Sequence, residues 1–318
     1  MTKLEHIVTT TPPFSFIINK SKHWYLPGFE GLPFFDVMLF FYRKVKTVGL
    51  KERASAIAFN FIMALPPALL FLFTLIPNLP FISKKSLKEQ LHFIIVDIVP
   101  AKMYNGNIIK FVDSFIDGTK IGLISIGLLL ALFFASNAMM GLMRSFNKDH
   151  IGFEKRKGLL TRWVAIRLTI LIFSLVLGCL LLLMAQGVVL KWVGVKSIFW
   201  RGVITYARWI FIVGMIFYAI AFIYKLAPAV EKRWKLISPG TIFATVLSIL
   251  ATLGFSAFVN SYGKYNALYG SIGTIIVLMA LIYINSLVLL IGFELNLSIK
   301  SLKAIADQRQ AQRRDAKK

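Results

Sequence analysis

Six stretches of this 318-residue chain are apolar over the length of a bilayer: about 54–78, 121–143, 163–190, 203–226, 237–259 and 270–297. Crossing a hydrocarbon core takes about 20 apolar residues in a helix. Lipid offers no partner to a bare peptide group, so a spanning segment must satisfy its backbone internally, as a helix does. The expected fold is therefore an all-α polytopic membrane protein with six transmembrane helices. Composition agrees: 57% of residues are hydrophobic and 16% are charged, against about 25% charged in soluble domains.

Residues 1–33 are polar and aromatic, with four prolines and no continuous apolar run, so a cytoplasmic N-terminal segment without a cleavable signal peptide is expected. From Phe34 to Lys51 apolar and basic residues alternate (FFDVMLFFYRKVKTVGLK). This suits a helix lying in the membrane interface before the first span. Residues 79–120 are too polar to span. Within them Leu91, Ile94, Ile95 and Ile98, then Ile108, Ile109, Val112, Phe115 and Ile116, recur at helical spacing, so two periplasmic amphipathic helices are expected between spans one and two. The transmembrane domain then covers 34–299, and 300–318 is a basic cytoplasmic tail.

The chain carries 37 Lys and Arg against 14 Asp and Glu, a net charge of +23. In a soluble protein that excess would suggest nucleic acid. With six spans and the N-terminus inside, 26 of the 37 basic residues fall in cytoplasmic segments, as the positive-inside rule requires. Topology thus accounts for the charge without nucleic acid. A multi-pass protein of a bacterial inner membrane with both termini cytoplasmic is expected, its basic end SLKAIADQRQAQRRDAKK facing anionic lipid. The single cysteine, Cys179, provides neither a disulfide framework nor a thiolate metal cluster. No metal and no cofactor is expected.

Ionisable and amide groups are costly in lipid, so those inside the spans are the first candidates for function. Glu294 is the only acidic residue in the six runs. Counted from Gly270 it lies about 36 Å along a helix, near the cytoplasmic interface. It is either an ion-pair partner of Arg144, Lys148 or Arg162, or an ion- or proton-coupling group. Asn60, Asn137 and Asn285 are the other deep polar groups, suited to interhelical hydrogen bonds or to a substrate. Asn285, Gly292 and Asn296 share a face at spacings of seven and four. Pro66-Pro67 sits mid-span and deletes two N–H donors, which predicts a kink or break freeing the Ile62 and Met63 carbonyls. Broken helices of this kind line transporter sites. The stretch SYGKYNALYGSIG (261–273) is expected as the turn between spans five and six. It lacks the G-x-x-x-x-G-K-[ST] spacing of a phosphate loop. Its tyrosines suit an aromatic belt, and Tyr265, Asn266 and Tyr269 line either a gate or a tight turn. Gly270 and Gly273 thin the start of span six. Gly122, Gly127, Gly270 and Thr274 would permit close helix contact, within one chain or between copies in a homo-oligomer.

Three stretches carry a resemblance: AFNFIMALPPALLFLFTLIP, SNAMMGLMRSFNK, and YNALYGSIGTIIVLMALIYINSLVLLIGFELN. In this order they resemble the YihY/BrkB family of bacterial inner-membrane proteins over nearly all of 35–300. Phe59 or Phe61 and Ala64 stand where that family commonly has Tyr and Ser, and Asn147 matches a family Asn. The resemblance implies six transmembrane helices with both ends cytoplasmic, and no settled activity. A ribonuclease label attached to the family finds no support in the residues. Phosphodiester hydrolysis generally needs clustered His and carboxylates, whereas His6, His23, His92 and His150 are scattered and Asp97, Asp113 and Asp117 fall on the expected outer side. An enzyme is not expected. A transport-type bundle moving a small solute, ion or lipid component, and a non-transporting scaffold or stress-related partner in the envelope, stay open as alternatives.

Overall fold

The computed structural model describes residues 20–75, 121–147, 158–192, 198–230, 234–261 and 265–316, with scattered residues between 85 and 117. Within those helices the side chains of 70, 73, 74, 121–124, 180–192, 198–208, 260–261 and 265–274 are outside the description. Seven long helices follow one another, with no strand between them among the described residues: α1 (Phe34–Thr47), α2 (Leu50–Leu75), α3 (Ile121–Phe146), α4 (Gly158–Trp192), α5 (Ile198–Leu226), α6 (Pro239–Ser261) and α7 (Tyr265–Asp315). The fold is all-α and polytopic.

Among the described residues five helices, α3 to α7, are long and apolar enough to cross a membrane. The expected count of six is therefore too high by one on this measure. The expected first span is present as the 26-residue α2, which opens on Lys51, Glu52 and Arg53 and then carries no charged residue from Ala54 to Leu75. The five spanning helices bury only a minority of their residues and turn Leu129, Phe133, Ile210 and Leu253 outward. Apolar surface on this scale would drive aggregation in water, whereas in a bilayer it faces lipid.

α1 forms where sequence and dipole agree. Pro33 precedes it in an extended conformation, Asp36 sits in the first turn, and Lys44 and Lys46 in the last, each placed to favour the helix dipole. Val37 and Phe41 form its buried stripe, packed with Phe29 against Leu295 and Ile299 of α7. Gly49, with φ of +64°, allows the chain to turn from α1 into α2 in a conformation that a side chain would resist.

The core lies towards one end of the bundle. Leu50, Ala54 and Ile57 of α2, Leu142, Met143 and Phe146 of α3, Leu168 of α4, Tyr224 of α5, and Leu290, Phe293 and Leu297 of α7 meet there. Phe146 stacks on Phe293 with ring centroids 4.1 Å apart and planes 1° from parallel. Trp234 covers Phe293 at 5.3 Å, and Tyr224 closes the side. Apolar attraction between helices is weak in lipid, so close packing of this kind is a main source of association.

Candidate functional site

The polar groups of the bundle fall into a tie, a seam, a crevice and a groove. The tie is Glu294, fully buried on α7. Its partner is Arg53 of α2, with Nη1 donating to Oε1 at 2.8 Å. Arg53, 5% exposed, also donates from Nη2 to the Ser145 carbonyl at the end of α3. One guanidinium thus holds three helices, using the fork geometry that a lysine could not supply. Half-buried Lys44 of α1 faces the same pair. Burial lowers its pKa below 10.5 and Arg53 acts in the same direction, against the attraction of Glu294.

The expected partners of Glu294 are placed elsewhere. Arg162 donates to Asn137 Oδ1 and its guanidinium lies 5.0 Å from the centre of the Phe133 ring. Exposed Arg144 bonds from Nε to the Met140 carbonyl at 3.4 Å, and Lys148 lies outside the described residues. The correction follows from chain order: Arg53 belongs to the charged first turn of α2, and α2 runs beside α7, so the nearest cation comes from the other end of the sequence. A basic residue at the mouth of the first apolar run was the available signal.

The seam runs along α6 and α7. Asn296 accepts from the Gly240 N–H at 2.8 Å and donates to Ser238 Oγ at 2.8 Å. A Cβ at Gly240 would lie 2.2 Å from the Gly292 carbonyl, and one at Gly292 would lie 2.5 Å from both Ala244 Cβ and Tyr224 OH. Only glycine fits where these backbones cross. Tyr224 OH donates to the Leu289 carbonyl at 2.6 Å, and Asn147 Oδ1 accepts from the Ala229 N–H at 3.0 Å, fixing the turn after α5 to the end of α3. Ser298 Oγ, one turn beyond Glu294, is buried with no hydrogen-bond partner among the described residues.

Further along the seam the packing opens. A crevice of about 410 Å³ lies between α2, α5, α6 and α7, walled by Ile57, Phe61, Ile216, Ala219 and Leu289 among others. Its polar groups are Asn285, Ser248 and Ser286. Ser248 Oγ donates to Asn285 Oδ1, while Asn285 Nδ2 reaches Thr252 Oγ1 at 3.3 Å and its own-turn Leu281 carbonyl at 3.1 Å. Ser286 is turned back on the Ile282 carbonyl. No charged side chain is among the residues lining this crevice.

A neighbouring face of α2 carries the groove, about 360 Å³, with Glu52, Arg53, Asn60, Arg144 and Ser145 in its walls. Asn60 Nδ2 donates to the Ala56 carbonyl at 2.7 Å. Gly141 of α3 lies so near that a Cβ there would meet Asn60 Nδ2 at 2.7 Å. Sequence reading singled out Asn60 and missed the glycine that receives it.

Two expectations need correction. α2 runs through Pro66-Pro67 without a break, and the pair lines none of the cavities described above. Of the expected kink or break, the break is absent: the helix is continuous from Leu50 to Leu75, with Pro66 and Met63 exposed on its surface. Residues 265–273 are not a loop: α7 already begins at Tyr265, because Gly270 and Gly273 are tolerated inside a long helix. The side chains of Tyr265, Asn266 and Tyr269, with Gly270 and Gly273, lie in the part outside the description, as does the turn 262–264. Described residues of the 79–120 segment are helical, with Lys88 Nζ 2.6 Å from Asp117 and His92 Nε2 2.9 Å from Asp113. Among the described residues no three His, Cys, Asp or Glu side chains gather as a metal site would.

The chain is similar to known proteins along most of its length. The chain is similar to the ribonuclease-like protein YfkH of Bacillus subtilis (strain 168), 28% identical over 265 residues covering 81% of this chain and 93% of that one. It is also similar to a UPF0761 membrane protein of Tolumonas auensis, 26% identical over 266 residues, 80% of this chain and 82% of the other. A shorter match to the UPF0761 membrane protein of Pseudoalteromonas translucida is 34% identical over 77 residues, 24% of this chain and 26% of that one. No solved structure matches. The family described as virulence factor BrkB matches residues 41–318, from the middle of α1 through the whole bundle, and this membrane protein belongs to that family.

Proposed function

We propose that the protein moves a lipid component, taken laterally from the bilayer into the crevice between α2, α5, α6 and α7. The observation that carries this reading is the character of that crevice: a wall of aliphatic and aromatic side chains without a charge, and one amide-hydroxyl network, Asn285 with Ser248 and Thr252. A small ion would lose its hydration there with nothing to replace it. An apolar chain meets the crevice on equal terms with lipid, because lipid tails are as apolar as leucine. Selectivity then rests on the polar handle at Asn285. An amide unpaired in hydrocarbon is costly, so a ligand that engages it must satisfy at least what Ser248 supplies.

The test is reconstitution of the full chain into liposomes holding a trace of headgroup-labelled fluorescent phospholipid. Label on the inner leaflet becomes bleachable from outside as it exchanges. Exchange faster than in protein-free liposomes is expected, with Ala219→Trp, which fills the crevice, returning it to the protein-free rate. Asn285→Leu is expected to keep the fold and lower the rate. Equal rates with and without wild-type protein would sink the transport reading and leave the non-transporting scaffold in its place.

A further inference from the structure

The groove on the neighbouring face of α2, about 100° around the helix from the crevice, has an unusual charge arrangement. Glu52 and Arg144 both line it, yet they form no ion pair with one another. The carboxylate of Glu52 has no hydrogen bond or ion pair to any described residue. Arg144 uses only Nε, towards the Met140 carbonyl, so both of its Nη groups are uncommitted among the described residues. Below them Arg53, nine-tenths buried, is committed to Glu294 and the Ser145 carbonyl, and its Nε–H is closed off from the groove. Glu294 cancels the charge of Arg53, so among the described residues the groove presents one uncommitted anion and one uncommitted cation.

An isolated charge of either sign matches such a groove poorly, because it would satisfy one wall and oppose the other. We infer that the groove binds a zwitterionic phosphate ester, with an ammonium group against Glu52 and a phosphate against the Nη groups of Arg144. Guanidinium recognises phosphate through paired N–H donors, and a carboxylate is the natural acceptor for a primary ammonium. Phe59 and Met63, on α2 beyond Asn60, are 63% and 49% exposed. They extend an apolar track away from the groove along which acyl chains fit, which favours an ethanolamine phospholipid over the free headgroup. This site is independent of the crevice and stands whether or not lipid is moved there.

Native mass spectrometry of the full chain, exchanged into a detergent and titrated with short-chain phosphatidylethanolamine, phosphatidylglycerol or O-phosphoethanolamine, tests the assignment. Glu52 and Arg144 are exposed, so Glu52→Gln and Arg144→Gln leave the core untouched. Wild type is expected to retain the ethanolamine lipid over the glycerol lipid. Arg144→Gln is expected to weaken both lipids by about tenfold, the effect of one charged hydrogen bond. Glu52→Gln is expected to weaken the ethanolamine lipid alone and so erase the preference. Binding by O-phosphoethanolamine as strong as by the lipid would assign the same chemistry to a soluble source. Equal retention of the two lipids by wild type, or a preference unchanged in Glu52→Gln, would overturn the proposal.

Discussion

The two ends of the α6–α7 seam are built by opposite rules. Around Gly240, Gly292 and Asn296 the backbones touch and the amide is saturated, and the charges of Arg53 and Glu294 are matched beside an aromatic stack. A few turns along, Ser248 and Thr252 of α6 still bond to Asn285 of α7, but a crevice opens beside them towards α2 and α5 and the polar network is partly exposed. Lipid gives helices little reason to associate beyond shape and hydrogen bonding. The tight end therefore holds the bundle, and the open end is left free to accommodate another molecule.

That contrast is most exposed to attack at the buried ion pair. Glu294→Gln leaves Arg53 charged and uncompensated, a change expected to cost about 3–5 kcal/mol, readable as a fall in the thermal unfolding midpoint in detergent. Replacing both partners, as in Arg53→Met with Glu294→Leu, is expected to recover most of that loss. Failure to recover would mean that the pair does more than hold helices together.

A smaller effect is expected at the crossing. Gly292→Ala forces a methyl into contact with Ala244 and Tyr224, and overpacking of this kind costs about 1–3 kcal/mol. At the open end Asn285→Ala is expected to cost only about 0.6 kcal/mol, the average for a hydrogen bond between membrane helices. An Asn285 effect as large as that of Gly292 would erase the distinction between the two ends.

The gentlest perturbation is pH. Burial holds the folded pKa of Lys44 below its ordinary 10.5, so the unfolded chain binds more protons in the interval between the two values. Stability contributed by Lys44 therefore rises as pH climbs through that interval towards 10.5. Lys44→Met should flatten this part of a stability-against-pH curve without lowering stability at neutral pH.

The fold was legible because a bilayer imposes length and apolarity together, and α3 to α7 obey both. Boundaries were less so. The turn 261–273 read as a loop because glycine and tyrosine cluster there, yet nothing in lipid forbids a helix from containing them, and α7 starts at Tyr265. Pro66-Pro67 read as a kink or break, and the helix continues through it without a break. Residue type marked Glu294, Asn60 and Asn285 as polar groups in apolar surroundings. Their partners Arg53, Gly141 and Ser248 come from distant segments, and only the packing of α2 and α6 against their neighbours brings them together.

α7 runs unbroken for 51 residues, about 77 Å at 1.5 Å per residue, more than twice the roughly 30 Å of a hydrocarbon core. Its exposed end from Lys300 to Asp315 is the continuation of the same rod that walls the crevice at Asn285 and is gripped at Glu294. The rod is also held beyond Glu294, where Leu295, Ile299 and Leu302 pack against α1 and Lys300 pairs with Glu30. A single stiff helix gripped at these levels ties the position of the crevice wall to that of α1.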